Sequence, residues 1–153
     1  MLITQTLLQQ VAGEAAASPR RRKNRNLHAA NESPAHRLLN AVEPDSYVQP
    51  HCHLEATKDE TIIALRGRFG VVLFEPDGAV RGTAVLAPGG ATIGIDIPHG
   101  TFHSLVALEP GSVFFEAKAG PYVAATAAER ASWAPAEGAP EAAAYLEKMR
   151  RLF

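Results

Sequence analysis

A mainly β, single-domain fold with a short helix at each end is what this sequence predicts, and three observations predict it. Short segments rich in Val, Ile and Phe recur at regular spacing between residues 36 and 120. The breaks between them carry turn signatures: PDG at 76–78, PGG at 88–90 and EPG at 109–111. The 3.6-residue helical period is confined to the two ends of the chain. Together these indicate an antiparallel sandwich or barrel.

The elements follow in order. Ile3, Leu7, Leu8, Val11 and Ala15 recur at helical spacing and predict an amphipathic helix that stops near Ser18-Pro19. Next comes SPRRRKNRNLHAANESP, in which Arg20, Arg21, Arg22, Lys23 and Arg25 form a basic arm. Strands are expected at HRLLNAV (36–42) and SYVQPHCH (46–53), where Pro50 suggests an edge or a bulge. Further strands are expected at 60–67, 68–75, 79–86, 91–98, 103–108 and 112–120. The stretch PYVAATAAERASWAPAEGAP reads as an irregular strap plugged by Trp133. A final helix places Ala142, Tyr145, Leu146, Met149 and Leu152 on one face, with Glu141 at its start and Lys148, Arg150 and Arg151 at its end, as the helix dipole favours. The expected organisation is residues 1–35 as helix and arm, 36–120 as the β core, and 121–153 as strap and helix.

Composition excludes several classes. With 15 basic and 16 acidic residues the chain has no global charge to attract nucleic acid or a membrane surface. One cysteine allows no internal disulfide. No apolar run is long enough for a membrane span, and the N-terminal stretch lacks a continuous apolar leader, so a cytoplasmic protein is expected.

The chemistry concentrates in PHCHLEATKDE, residues 50–60. On a strand, His51 and His53 point to one face and Cys52 to the other, so the two imidazoles form a two-point claw for a metal while the thiol is a small buried side chain. Glu60 opens the next strand seven residues before Gly67, and IPHGTFH puts His103 just after a Pro-x-Gly turn. Glu55 shares the phase of His53 and competes with Glu60 as the carboxylate. His99 reads as a solvent-facing turn residue.

The order H-x-H, E-x6-G, P-x-G-x2-H resembles the two motifs of the cupin superfamily, and the resemblance implies a small jelly-roll barrel whose side chains converge on one divalent metal. The implied ligands are His51, His53, Glu60 and His103. The gap of six residues between His53 and Glu60 is longer than cupins usually have. More narrowly, SPRRRKNRNLH, HRLLNAVEPDSYVQPHCH, IPHGTFHSLVALEPGSVFFEAKAGPY and SWAPAEG resemble segments of the WbuC family of cupin-fold metalloproteins, found among bacterial polysaccharide genes.

Three His and one carboxylate leave coordination positions open and suit Fe, Mn, Ni or Zn. The expected function is that of a metal-dependent isomerase or epimerase acting on a small polar, possibly anionic, sugar-like ligand. A non-haem Fe(II) dioxygenase and a non-catalytic sugar- or metal-binding module are the alternatives. Glu116 and Lys118 alternate with Phe115 and Ala117, either as a polar pair near the metal or as a surface ion pair, and are the candidate proton-transfer groups. Arg20, Arg22, Asn24, Asn26 and His28 on the arm, with Tyr47 and Gln49 in the phase of His51, are the candidate ligand-binding residues. A homodimer is an open expectation, since small jelly rolls often cover edge strands by pairing.

Overall fold

The computed structural model describes residues 1–153. It contains α1 (Gln5–Ala17), β1 (Arg22–Asn26), β2 (Ala35–Val42), β3 (Glu60–Arg66), β4 (Phe69–Phe74), β5 (Val80–Leu86), β6 (Gly94–Ile97), β7 (Phe102–Ala107), β8 (Ser112–Ala119) and α2 (Ala142–Arg150). The strands form two antiparallel sheets, one ordered β1-β2-β8-β3-β6 and the other β5-β4-β7. Their facing sides bury Val42, Ile62, Ala64 and Phe114 from the first sheet against Phe69, Val71, Leu105 and Ala107 from the second. The mainly β class with a short helix at each end is therefore observed.

Each sheet is covered on its outer face by one of the helices. Thr4 caps α1, its hydroxyl accepting a hydrogen bond from the Leu7 amide at 3.2 Å. The apolar stripe Leu7, Leu8, Val11, Ala12 and Ala15 then packs on Leu39, Ala41 and Val113. Leu39 is fully buried in this contact, and truncation to Ala at such a site costs about 2–5 kcal/mol. On the other sheet, Ala142, Leu146 and Met149 of α2 pack on Val72, Phe74 and Val106. Tyr145 is half-buried and Leu152 exposed, so the buried face of α2 is narrower than the sequence period suggests. Strand alternation divides β2 between two environments: odd positions (Leu39, Ala41) meet α1, while even ones (His36, Leu38, Asn40) face inward toward the cavity.

The basic arm is ordered as a strand: Arg22–Asn26 pairs residue for residue with Val42–Leu38 and forms the edge strand of the large sheet. One expectation is corrected. SYVQPHCH is not a regular strand. Pro50 has no N–H to donate, and only His51 makes bridges, to His103 on one side and Arg130 on the other. The segment is held as a filling between β7 and the strap: Cys52 N–H donates to Glu129 O and Ala131 N–H donates to Pro50 O, each at 2.9 Å. The strap is thus the second wall behind the histidines. No helix is long and apolar enough to cross a membrane.

Candidate metal centre and cavity

Two backbone devices bring the H-x-H stretch to β7. His51 N–H donates to His103 O at 3.0 Å and His103 N–H donates to His51 O at 2.8 Å. One turn further on, Gly100 N–H donates to His53 O at 2.7 Å. Gly100 takes φ +74 with no side chain to resist it, which explains the Pro-x-Gly turn before His103. Gly67, at the far end of β3, takes φ +70, and a Cβ there would lie 2.1 Å from the Ser112 hydroxyl oxygen. Both motif glycines therefore answer to backbone geometry.

The result is a cluster in which His51, His53, Glu60 and His103 each offer a ligand atom, all within 4.8 Å of one another. The ring centroids of His51 and His103 are 4.6 Å apart. His51 and His103 each place Nδ1 on a carbonyl, Gln49 O at 3.0 Å and Thr101 O at 2.9 Å. A carbonyl only accepts, so Nδ1 carries the proton and Nε2 keeps its lone pair for the cluster. His103 Nε2 is buried with no hydrogen-bond partner. An orphaned, inward-facing imidazole nitrogen among two further imidazoles and a carboxylate is the donor set a divalent transition metal requires, and the residues fit one.

Electrostatics agree. Burial, reinforced by the neighbouring His103, pushes His51 down to about 3, so it is neutral and a competent ligand. Burial likewise lowers His103. Burial alone would raise Glu60, but the hydrogen bond from His53 at 2.8 Å and the nearby Lys118 charge outweigh it and hold the carboxyl ionised. Glu60 is the carboxylate of this cluster and Glu55 is not. Glu55 is exposed, closes a turn with Lys58 N–H at 2.9 Å and pairs with the Lys58 ammonium at 3.0 Å. Asp59 is tied to the other motif, accepting from the His99 amide at 2.8 Å. The long gap after His53 is accommodated as a surface turn pinned at both ends.

Glu116 and Lys118 point inward rather than out. Lys118 Nζ lies 2.6 Å from Glu116 Oε1 and 3.6 Å from Glu60 Oε2. Asn40 donates its amide to Glu116 Oε2 at 2.8 Å. Burial and the Glu60 charge raise Glu116 above the usual carboxyl range. For Lys118, burial opposes the charge, but the two carboxylates win and raise it. Their inner-face position follows from register, since Lys118 is the cross-strand partner of both Glu60 and His36.

A cavity of about 620 Å³ opens over this cluster, and Arg20, Arg22, Asn24, Asn26 and His28 all line it. The two arginines are already engaged. Glu137 in the strap accepts from Arg20 Nε at 2.7 Å and Nη2 at 2.9 Å, and from Arg22 Nη2 at 2.6 Å. Asn24 and Asn26 share the inner face of β1, and His28 is buried against His36, ring on ring at 4.0 Å. Tyr47 and Gln49 are not brought to the cavity. Tyr47 is packed with α2 and donates its hydroxyl to Pro135 O at 2.8 Å; Gln49 donates to Ala131 O at 3.3 Å. Their phase argument needed a regular strand, and that segment is irregular. Cys52 is fully buried, as a small apolar side chain would be.

Sequence reasoning missed four contributors. Asn40 and His36 lie in phase on β2, so the alternation of HRLLNAV held a usable signal for them. Glu129, which accepts from the Leu54 and Thr126 amides at 3.1 and 2.8 Å, and Arg130, which bridges to His51, sit in an aperiodic strap that offered none.

Among solved structures, the chain is similar to KdgF from a Halomonas species, with 21% identity over 69% of this chain and 84% of that one and a TM-score of 0.54. It is also similar to the conserved protein SPY1581 from Streptococcus pyogenes (15% identity, 69% and 80% covered, TM-score 0.51) and to SO0799 from Shewanella oneidensis (13% identity, 65% and 68% covered, TM-score 0.52). At these identities the likeness concerns the fold, and KdgF is a cupin-fold protein. No curated protein matches the chain by sequence. The two facing sheets and these neighbours show a cupin-like fold, as the motifs predict. A family model described as "Domain of unknown function (DUF6016)" matches residues 3–86, more than half of the chain, and the protein belongs to that family.

Proposed function

We propose that the protein is a WbuC-like, divalent-metal cupin whose own side chains move a proton on a small polar, sugar-like metabolite, as an isomerase or epimerase does. The observation that carries this is the Lys118–Glu116 pair, at 2.6 Å, on the same sheet face as Glu60 and open to the cavity. His51, His53, Glu60 and His103 would hold Fe, Mn, Ni or Zn. The ion when bound supplies Lewis acidity to an oxygen-bearing substrate.

The remaining work falls to the chain. Glu116, raised by burial and by Glu60, is brought closer to the pH at which a carboxyl both gives and takes a proton. Asn40 hydrogen-bonds one oxygen of Glu116 and the Lys118 ammonium forms an ion pair with the other, so the group is oriented before substrate arrives. Lys118 keeps Glu60 and Glu116 from repelling each other. Anion recognition by Arg20 and Arg22 would require displacing Glu137, which makes a neutral polyol or a weakly anionic sugar the better match.

The test is proton exchange in deuterium oxide. Metal-loaded protein is incubated with a panel of neutral sugars, uronic acids, sugar phosphates, nucleotide sugars and keto acids, and deuterium is followed at carbon. Exchange that vanishes in Glu116→Gln while bound metal stays constant supports the reading. Oxygen-dependent turnover by the Fe(II) form supports the dioxygenase instead and contradicts it.

A further inference from the structure

The chain contains four asparagines, Asn24, Asn26, Asn31 and Asn40, and all four line the one cavity above the histidine–carboxylate cluster. Three of them lie in strands, where asparagine is disfavoured, so strand propensity does not account for them. Asn24 and Asn40 are direct cross-strand partners on the inner face. Asn24 donates to Asn26 Oδ1 at 2.9 Å, and Asn40 donates to Glu116 Oε2 at 2.8 Å. A single polar row therefore runs from Glu60 on β3 through Lys118 and Glu116 on β8 and Asn40 on β2 to Asn24 and Asn26 on the edge strand.

The row has a length and a chemical character. It crosses from β3 to β8, β2 and β1, three inter-strand steps in the sheet order, or about 14 Å. A sugar ring spans about one such step. Asn24 and Asn26 are too far from Glu60 to touch a single ring held there. After their internal bonds, Asn24 keeps its carbonyl oxygen and one N–H, and Asn26 keeps both N–H groups. That mixture of neutral donors and acceptors suits hydroxyl groups, which need both, better than a phosphate, which only accepts. The guanidinium forks nearby are occupied by Glu137.

We infer that Asn24 and Asn26, joined to the reacting centre through Asn40, form a distal subsite for the hydroxyls of a second sugar unit. The ligand is then of disaccharide length, with the unit to be altered at Glu116 and Lys118. This rests on the proposed function and extends it to substrate size.

Calorimetric titration of metal-loaded protein with common hexoses, hexuronic acids and their 1,4-linked disaccharides tests it. A disaccharide should bind about tenfold tighter than its parent monosaccharide, the difference that one or two added hydrogen bonds supply. The double variant Asn24→Ala/Asn26→Ala, at exposed edge positions, should bring that ratio to about one and leave metal content and monosaccharide affinity unchanged. Equal affinities in the native protein, a ratio untouched by the double variant, or a panel with no binder would overturn the subsite. Failure of the underlying proposal reads out separately, as protein without bound metal or as deuterium exchange that survives Glu116→Gln.

Discussion

His51 and His103 exchange both of their backbone hydrogen bonds, at 3.0 and 2.8 Å, and their rings lie 4.6 Å apart. Two motifs separated by about fifty residues of chain are thereby fixed in a single geometry before any metal binds. The arrangement makes the ligand cluster a property of the fold rather than of side-chain chance, and it sets the following expectations.

Glu60→Gln should lose most bound metal, whereas Glu55→Gln should retain it, because only Glu60 shares the buried cluster and Glu55 serves a surface turn. Elemental analysis of the two purified variants checks this. Equal retention would place the carboxylate ligand elsewhere.

Metal-free protein should weaken as pH falls. His51 is depressed from 6.5 to about 3, so between those values the unfolded chain binds a proton that the folded chain does not. Stability from this group is complete above about pH 6.5 and is lost progressively down to about pH 3, an effect of order a few kcal/mol at most. The depressed Glu60 acts with the same sign below the ordinary carboxyl range. Thermal melts with chelator across this range should show the fall, and His51→Gln should flatten it.

Lys118→Met removes the cation between two buried carboxylates. Breaking such a group should destabilise metal-free protein by about 3 kcal/mol. A bound cation would restore the missing charge, so added metal should raise the melting temperature more in the variant than in the native protein. A smaller rise would contradict this electrostatic role.

Glu137→Ala should cost about 1–2 kcal/mol in urea unfolding. Most of the loss comes from Arg22, whose side chain is 18% exposed, and little from Arg20, which is 63% exposed and screened by water. A cost below a few tenths of a kcal/mol would mean that the strap is held by its backbone alone.

The legibility of this molecule in its sequence tracks periodicity. Helices and strands with a clean period, such as Leu7–Ala15 and Ile62–Ala64, lie where the pattern put them. His51, His53, Glu60 and His103 were also legible, because motif spacing and turn glycines report backbone geometry directly. Tyr47 and Gln49 were misplaced because Pro50 breaks the ladder on which their phase depended. The basic stretch reads as an arm carrying candidate ligand-binding residues, but charge pattern does not reveal that β2 has an unpaired edge for Arg22–Asn26 to join as a strand. The spacing to Gly67 favours Glu60 over Glu55, and the structure adds the reason Glu55 stays outside, a surface turn pinned by Lys58 and Asp59.

Elemental analysis of protein purified without added metal decides whether His51, His53, Glu60 and His103 hold an ion. About one equivalent of Fe, Mn, Ni or Zn per chain is expected, lost in His51→Ala with the fold intact by circular dichroism. Protein that carries no transition metal, or metal content unchanged by His51→Ala, would contradict the assignment.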